Sequence, residues 1–323
     1  MKILIIKTSS MGDIIHTLPA LTDAKKILSN TSFDWVIEKN FSEIPMWHSG
    51  TRHIIPSNIK VHAKNYLDCV YWKKYNNFIH KLQKNTYDII IDAQGLIKIA
   101  FLITNLAKGK KHGMNSSSIR EPIASIFYNK KHQIHKNQHA IERTRQLFSK
   151  ALKYPQPSET GCYNIKNYFK KKQNTEPYLI FLHSASKKKK TWPEIYWRTL
   201  TRFAIHEGFH VKFPWWKTTE YLRAKRLTQG LAHVEILPKL TLTQIAKQIL
   251  GATAIISIDT GLSHLSAALH TPNLTLYGPT NPALIGTYGK NQKKIYSKTQ
   301  SMIDIKPIET WNTFKQLLNQ IKL

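Results

Sequence analysis

A chain of 323 residues exceeds the usual span of one hydrophobic core, so two domains of roughly 150 residues each, with a cleft between them, are expected. With 41% hydrophobic and 11% aromatic residues it is not a disordered chain, and its only cysteines, Cys69 and Cys162, exclude a disulfide framework or a Cys-x-x-Cys metal site. The 48 Lys and Arg against 19 Asp and Glu leave a net charge of +29, which points to a polyanionic partner (nucleic acid, anionic lipid or phosphorylated glycan) or to the compositional drift also visible in heavy use of Lys, Asn and Ile.

The chain opens MKILIIKTSSMGDIIHTLPALTDA. One lysine and a four-residue apolar run are too short for a signal-peptide core, and no stretch approaches the ~18 apolar residues of a spanning helix, so a reducing cytoplasmic location is expected. Residues 3–6 read as a strand, 13–28 as a helix, 33–37 and 87–91 as strands, 96–106 as an apolar helical stretch, and 139–152 as the helix closing the first half. Such alternation with continuous apolar strands indicates an α/β fold with a parallel sheet covered on both faces. Residues 153–175 are rich in Pro, Gln, Asn and Lys without periodicity; they suggest a first domain at 1–155, a linker at 156–175 and a second domain at 176–323. The pattern then restarts, with strands at 178–182, 210–213, 234–237, 254–258 and 274–277 and helices at 193–206, 219–228 and 242–250. Two Rossmann-like halves are therefore expected. A last helix at about 307–322 places Trp311, Phe314, Leu317, Leu318 and Ile321 on one apolar face, a candidate to pack back on the first domain.

Open parallel sheets bind ligands beyond the carboxyl ends of their strands, which ranks the loops. After the first strand, a dinucleotide fingerprint needs three glycines, but only Gly12 is present, so an NAD site is disfavoured. The small Ser10 and Gly12 let a ligand approach the backbone. Asp13 projects from the first helical turn, either as a helix-start acid worth about 1 kcal/mol or as a catalytic carboxylate. After the strand at 254–258 comes Asp259-Thr260-Gly261-Leu262-Ser263-His264. This is either an ordinary capped turn or a diphosphate site in which helix N–H groups, Thr260 and His264 donate and Gly261 permits close approach.

In the loop 183–193, Lys187 to Lys189 read as a solvated run. Lys190, just before Trp192-Pro193, can be held near the strand end, where it would neutralise a leaving diphosphate. Glu220 suits either ribose hydroxyls or the start of its own helix. No His, Asp or Glu cluster shows metal-ligand spacing, no G-x-S-x-G or P-loop is present, and His132 and His135 read as exposed polar residues.

Taken together, KTSSMGDIIHTLPALTDA, FDWVIE, DIIIDAQGLIK, KHGMNSSSIREP, HAIERTRQLF, the KTWPEIYW block, DTGLSHLSAAL and LYGPTNPALIGTYGKNQ resemble the lipopolysaccharide heptosyltransferase I family, in order over nearly the whole chain. The resemblance implies a GT-B architecture, two Rossmann-like domains facing a cleft. It implies inverting transfer of L-glycero-D-manno-heptose from ADP-heptose to the inner Kdo of Kdo-lipid A, without a cofactor or catalytic metal. By resemblance, Asp13 is the general base and Lys190 faces the donor phosphates. The donor is lined by Ser10, Gly12, Ala185, Ser186, Glu220, Leu240, Asp259, Thr260, Gly261 and His264. Ala185 stands where the family often has Thr, which removes a hydroxyl contact, and Leu240 where it often has Met, which keeps the apolar packing beside the adenine.

On the acceptor side, Arg120 and Arg143 match family positions. Lys60 and Lys64 stand where the related enzymes are richer in Arg, keeping the charge but losing bidentate geometry. Direct displacement needs a base on one side of the anomeric carbon and positive charge on the other. Asp13 lies in the first half and Lys190, Thr260 and Gly261 in the second, so domain closure is expected to assemble the site. The expected location is peripheral, on the anionic cytoplasmic face of the bacterial inner membrane. The alternatives are a related enzyme adding a later core heptose or a nucleic-acid-binding protein; no basic helix-turn-helix, RNP aromatic motif or zinc finger accompanies the charge, so no nucleic-acid partner is expected.

Overall fold

The computed structural model describes residues 1–57, 69–169 and 176–321, with side chains from residue 72 onward in the second stretch. The chain divides into two units, Met1–Ile165 and Lys166–Leu323. The first runs β1 (Lys2–Ile6), α1 (Met11–Ile27), β2 (Ser32–Glu38), α2 (Glu43–Met46), β3 (Thr51–Ser57), α3 (Cys69–Gln83), β4 (Thr86–Asp92), α4 (Ile97–Ile99), β5 (Lys108–Met114), β6 (Lys130–His132) and α5 (Ala140–Leu152). The second runs β7 (Tyr178–Leu182), α6 (Glu194–His206), β8 (His210–Phe213), α7 (Thr218–Thr228), β9 (Val234–Ile236), α8 (Leu242–Gly251), β10 (Ala254–Ile258), α9 (Gly261–Ala268), β11 (Asn273–Tyr277), α10 (Pro282–Ile285), β12 (Gln292–Tyr296) and α11 (Pro307–Ile321).

Each unit is built on a six-stranded sheet, ordered β3-β2-β1-β4-β5-β6 in the first and β12-β11-β10-β7-β8-β9 in the second. Every neighbouring pair is parallel. Numbered within its own unit, each sheet has the doubly wound order 3-2-1-4-5-6, with the switch point between its first and fourth strands. The central strands are apolar throughout because helices cover both faces: Ile3 to Ile6 and all of β7 and β10 are buried.

The expected strands and helices are present; among the described residues there are also the unexpected helices α2, α3 and α10 and four further strands. β3 (TRHIIPS), β6 (KKH) and β12 (QKKIY) are edge strands, and β5 (KGKKHGM) lies next to β6; edges and their neighbours carry lysine and proline without losing a core face. The edge strand β3 is held to β2 by Arg52, whose Nε and Nη2 donate to the Asp34 oxygens at 3.0 and 2.9 Å. The helical stretch at 96–106 is shorter than its apolar run, α4 continuing into a π turn over Ala100–Thr104.

Residues 156–165 belong to the first unit although their composition reads as linker. Tyr163 and Ile165 are buried, and the carbonyl of Pro157 accepts from Arg145 Nη2 at 3.2 Å. Arg145 is itself buried, donating from Nε to Asp23 at 2.6 Å and from Nη1 to Glu142 at 3.0 Å, so one ion-pair network fixes α1 to α5. Trp311, Phe314 and Leu317 of α11 join the core of their own unit, formed by β7, β10, β11 and α6, whereas Ile321 is exposed.

Candidate active site

In the first unit, the chain leaves β1 and β4 side by side at the switch point. The Gln94 side-chain oxygen accepts from the backbone N–H of Thr8 and Ser9 at 2.9 and 3.2 Å, and Lys7 Nζ donates to the Ala93 carbonyl at 2.8 Å, so the two loops form one platform. Beneath it, Asp92 Oδ1 accepts from Gln94 and Gly95 N–H at 2.9 and 3.0 Å, and Oδ2 from the Thr104 hydroxyl at 2.6 Å. Gly95 has φ +68°, the left-handed conformation that closes this turn. Burial raises the Asp92 pKa despite these bonds, and its carboxyl ties the turn to the Thr104 hydroxyl.

The platform delivers Ser10 as N-cap of α1. Its N–H and its hydroxyl both donate to Asp13 Oδ2, at 3.0 and 2.8 Å, and Thr17 hydroxyl donates to the Asp13 carbonyl at 2.9 Å. Asp13 is half-buried in the first turn of a helix whose next residues, Ile14 to Leu21, are all buried. The helix-start role and the availability of an oriented carboxylate therefore coincide in one residue. Gly12 is buried beside it.

In the second unit, the equivalent strands are β7 and β10, and their loops are joined by an ion pair. Lys187 to Lys189 are exposed, whereas Lys190, at the end of a 3-10 turn, is half-buried and places Nζ 2.5 Å from Asp259 Oδ2. His264 Nε2 lies 3.8 Å from Asp259 Oδ1. Burial alone would raise the Asp259 pKa, but the side chains of His264, Lys190 and Thr280 hold it well below the usual carboxylate range. It stays an anion that fixes an ammonium at the start of α9.

Thr260 is the N-cap of that helix, and its carbonyl accepts from the Ser263 hydroxyl at 2.6 Å; Thr260 and Gly261 are half-exposed, with the helix dipole behind them. Ala185 packs partly on the core, and Ser186 is exposed.

Glu220 Oε2 accepts from the N–H groups of Trp216 and Lys217 at 2.7 and 3.2 Å, capping α7. Trp215 Nε1 donates to the Leu237 carbonyl at 2.7 Å, tying the loop before α7 to the loop that carries the half-buried Leu240. Arg143 is bonded to the Ser118 carbonyl at 2.6 Å, and burial lowers its pKa; it braces the loop leading to the exposed Arg120. Lys60 and Lys64 lie outside the described residues. Among the described residues, no group of three or more His, Cys, Asp or Glu could hold a metal ion.

Three contributors escape a reading by motif. Gln94, inside DIIIDAQGLIK, and Thr280, inside LYGPTNPALIGTYGKNQ, lie in blocks that carry the family resemblance, but neither residue has a role that spacing alone assigns. Arg223, one turn beyond Glu220, has no local signal: its Nη2 reaches across to the Trp192 carbonyl at 2.5 Å and so steadies the Lys190 loop from α7.

Two doubly wound units in tandem, one with an oriented carboxylate and the other with a lysine–aspartate pair at a helix start, have the architecture of a GT-B glycosyltransferase. Residues 75–312 match glycosyltransferase family 9 (heptosyltransferase), and the chain belongs to that family. It is 47% identical over 307 residues to lipopolysaccharide heptosyltransferase 1 of Salmonella typhimurium, covering 94% of this chain and 97% of the relative. The same-named enzyme of Pseudomonas aeruginosa is 44% identical over 293 residues, covering 90% of this chain and 82% of the relative. The structure of E. coli heptosyltransferase WaaC with ADP superposes with a TM-score of 0.93 at 45% identity, covering 98% of this chain and 100% of that one. The same enzyme with ADP-2-deoxy-2-fluoro heptose gives 0.91 at 44% identity, covering 98% and 99%.

Proposed function

We propose that this enzyme adds the first heptose of the lipopolysaccharide inner core, moving L-glycero-D-manno-heptose from ADP-heptose to the inner Kdo of Kdo-lipid A with inversion. The observation that carries the reading is the Lys190–Asp259 pair at the start of α9, a fixed cation where a diphosphate leaving group gathers charge. Support for this donor comes from the WaaC structures with ADP and a fluorinated ADP-heptose, and for the acceptor from the heptosyltransferase 1 relatives at 44–49% identity.

In the proposed reaction the acceptor hydroxyl oxygen bonds to the anomeric carbon as the bond from that carbon to the diphosphate breaks. Asp13 takes the hydroxyl proton. Its Ser10 hydrogen bonds orient the carboxylate, and because the proton moves as the new bond forms, an ordinary carboxylate suffices as base. Lys190, the N–H groups at Thr260-Gly261 and His264 receive the charge on the departing ADP, with Ser186 as a hydroxyl donor. Glu220 and Leu240 hold the ribose and adenine, although Glu220 also caps its helix. Arg120 faces the acidic acceptor, together with Lys60 and Lys64, and Arg143 supports the Arg120 loop.

The proposed workplace is the anionic cytoplasmic face of the inner membrane, reached without a span: no helix among the described residues is long and apolar enough to cross a bilayer. The net charge of +29 supports this reading. Incubating the enzyme with ADP-heptose and Kdo-lipid A is expected to release ADP and raise the acceptor mass by one heptose. Turnover only on an acceptor that already bears heptose would overturn the first-heptose assignment.

A further inference from the structure

Two short elements beside the Arg120 loop turn an apolar face outward. Ile97 and Phe101 lie about one turn apart on α4 and the π turn that follows it, and Ile123 and Ile126 stand three residues apart on the 3-10 turn Pro122–Phe127, where residues at that spacing eclipse. The inner sides of both elements share one buried cluster through Ala100 and Ala124. The Phe101 and Phe127 rings meet at 5.8 Å, and Glu121 Oε2 accepts from the Ile97 N–H at 2.7 Å. Ile126 is left 70% exposed, Ile123 58%, Phe101 56% and Ile97 39%. Singly exposed apolar residues need no explanation, but four on adjoining, cross-bonded elements form a ridge.

The charge of the segment that carries this ridge is one-sided. Residues 96–139 contain eight Lys or Arg and one acid, Glu121, whose carboxylate already accepts from Ile97. Arg120 immediately precedes the 3-10 turn and is exposed, as are Lys130 and Lys131 just after it. Apolar side chains on a segment rich in cations, whose one acid is bonded to a backbone N–H, complement an anionic bilayer surface, where acyl chains take the first and phosphates the second.

We propose that Ile97, Phe101, Ile123 and Ile126 form a bilayer-docking ridge that inserts at the headgroup level while Lys130, Lys131 and their neighbours bind lipid phosphates. This rests on the membrane reading above and adds the surface that makes contact. It also puts the lipid boundary next to Arg120, so an acceptor anchored by its acyl chains would present its sugar to that arginine.

The test is flotation of the full chain with vesicles of phosphatidylcholine alone and of phosphatidylcholine with phosphatidylglycerol. The wild type is expected to float with the anionic vesicles. The double variant Phe101→Ser, Ile126→Ser is expected to partition about tenfold less or weaker still, with unchanged melting and unchanged turnover on a deacylated, water-soluble acceptor. Lys130→Gln with Lys131→Gln should weaken flotation more at low salt than at high salt. Equal flotation of the wild type and the serine variant would overturn the ridge but keep membrane association, as would a change in oligomeric state with flotation unaltered. Failure of the wild type to float with either vesicle would overturn the membrane reading and the ridge with it.

Discussion

The two units share one strand order and place an aspartate at the end of the same strand, yet the two acids do opposite work. Asp92, ending β4, is enclosed by Gln94 N–H, Gly95 N–H and the Thr104 hydroxyl, with no cation among these partners, and burial raises its pKa. Asp259, following β10, meets Lys190, His264 and Thr280 and is held an anion. In both units the first and fourth strand loops are cross-linked, by Gln94 to Thr8 and Ser9 and Lys7 to the Ala93 carbonyl in one and by Lys190 to Asp259 in the other. The topology fixes where loops meet; the side chains that bridge them decide whether the junction is built on an amide and a lysine bonded to backbone or on a lysine–aspartate ion pair.

The largest expected effect separates scaffold from chemistry in the first unit. Asp13→Asn keeps the side-chain shape but removes the basic oxygen pair, and it should lower turnover by about 10²–10⁴-fold while ADP binding is retained, read by steady-state kinetics and calorimetry. As a cap, the same change costs only about 1 kcal/mol of stability. A variant that melts earlier yet turns over near the wild-type rate would leave Asp13 as a helix-start acid alone.

Next in size is the contrast between the two strand-end acids and their partners. Lys190→Ala should weaken ADP binding and slow the chemical step by roughly 10²-fold, because it removes a preorganised charge at the leaving group. Asp92→Ala should instead strand the buried Gly95 N–H, costing about 1–3 kcal/mol, and release the part-buried Gln94 N–H, with turnover per folded molecule preserved. Swapped outcomes, a stability loss alone for Lys190 and a turnover loss alone for Asp92, would reverse the assignment of the two junctions.

The central strands and the candidate loops after β1, β7 and β10 are legible in the sequence because burial on both faces forces continuous apolar runs and these turns follow them directly. The edge strands β3, β6 and β12 are not, since one neighbour and open solvent let them be written TRHIIPS, KKH and QKKIY. The pairing of Lys190 with Asp259 spans 69 residues, and that of Arg223 with Trp192 spans 31. No local pattern encodes such partners; they follow from strand order. Asp13 and Glu220 show a different limit: each has two readings from spacing, and in the structure each caps its helix, so geometry narrows the orientation of the carboxylate without removing either role.

The smallest effect expected sharpens the comparison through a buried histidine in each unit. His48 accepts from the Gly50 N–H at Nδ1 and meets the Thr22 hydroxyl at Nε2, both at 2.9 Å; burial lowers its pKa to about 4. His183, ending the β7 run, has only Ser184 at Nδ1, a buried Nε2 with no partner, and the Arg223 charge nearby; burial first, then that charge, lowers its pKa to about 3. Below the ordinary value of 6.5 the unfolded chain takes up protons that these rings refuse in the folded state, so stability should fall as pH drops from 6.5 toward 4 and level off near 3. The loss of stability across that range should be smaller in either His48→Leu or His183→Leu than in the wild type, as read by melting curves. At pH 7.5 the costs should differ, because His48→Leu strands the Gly50 N–H and the Thr22 hydroxyl, whereas His183→Leu removes a ring nitrogen that was already unpaired.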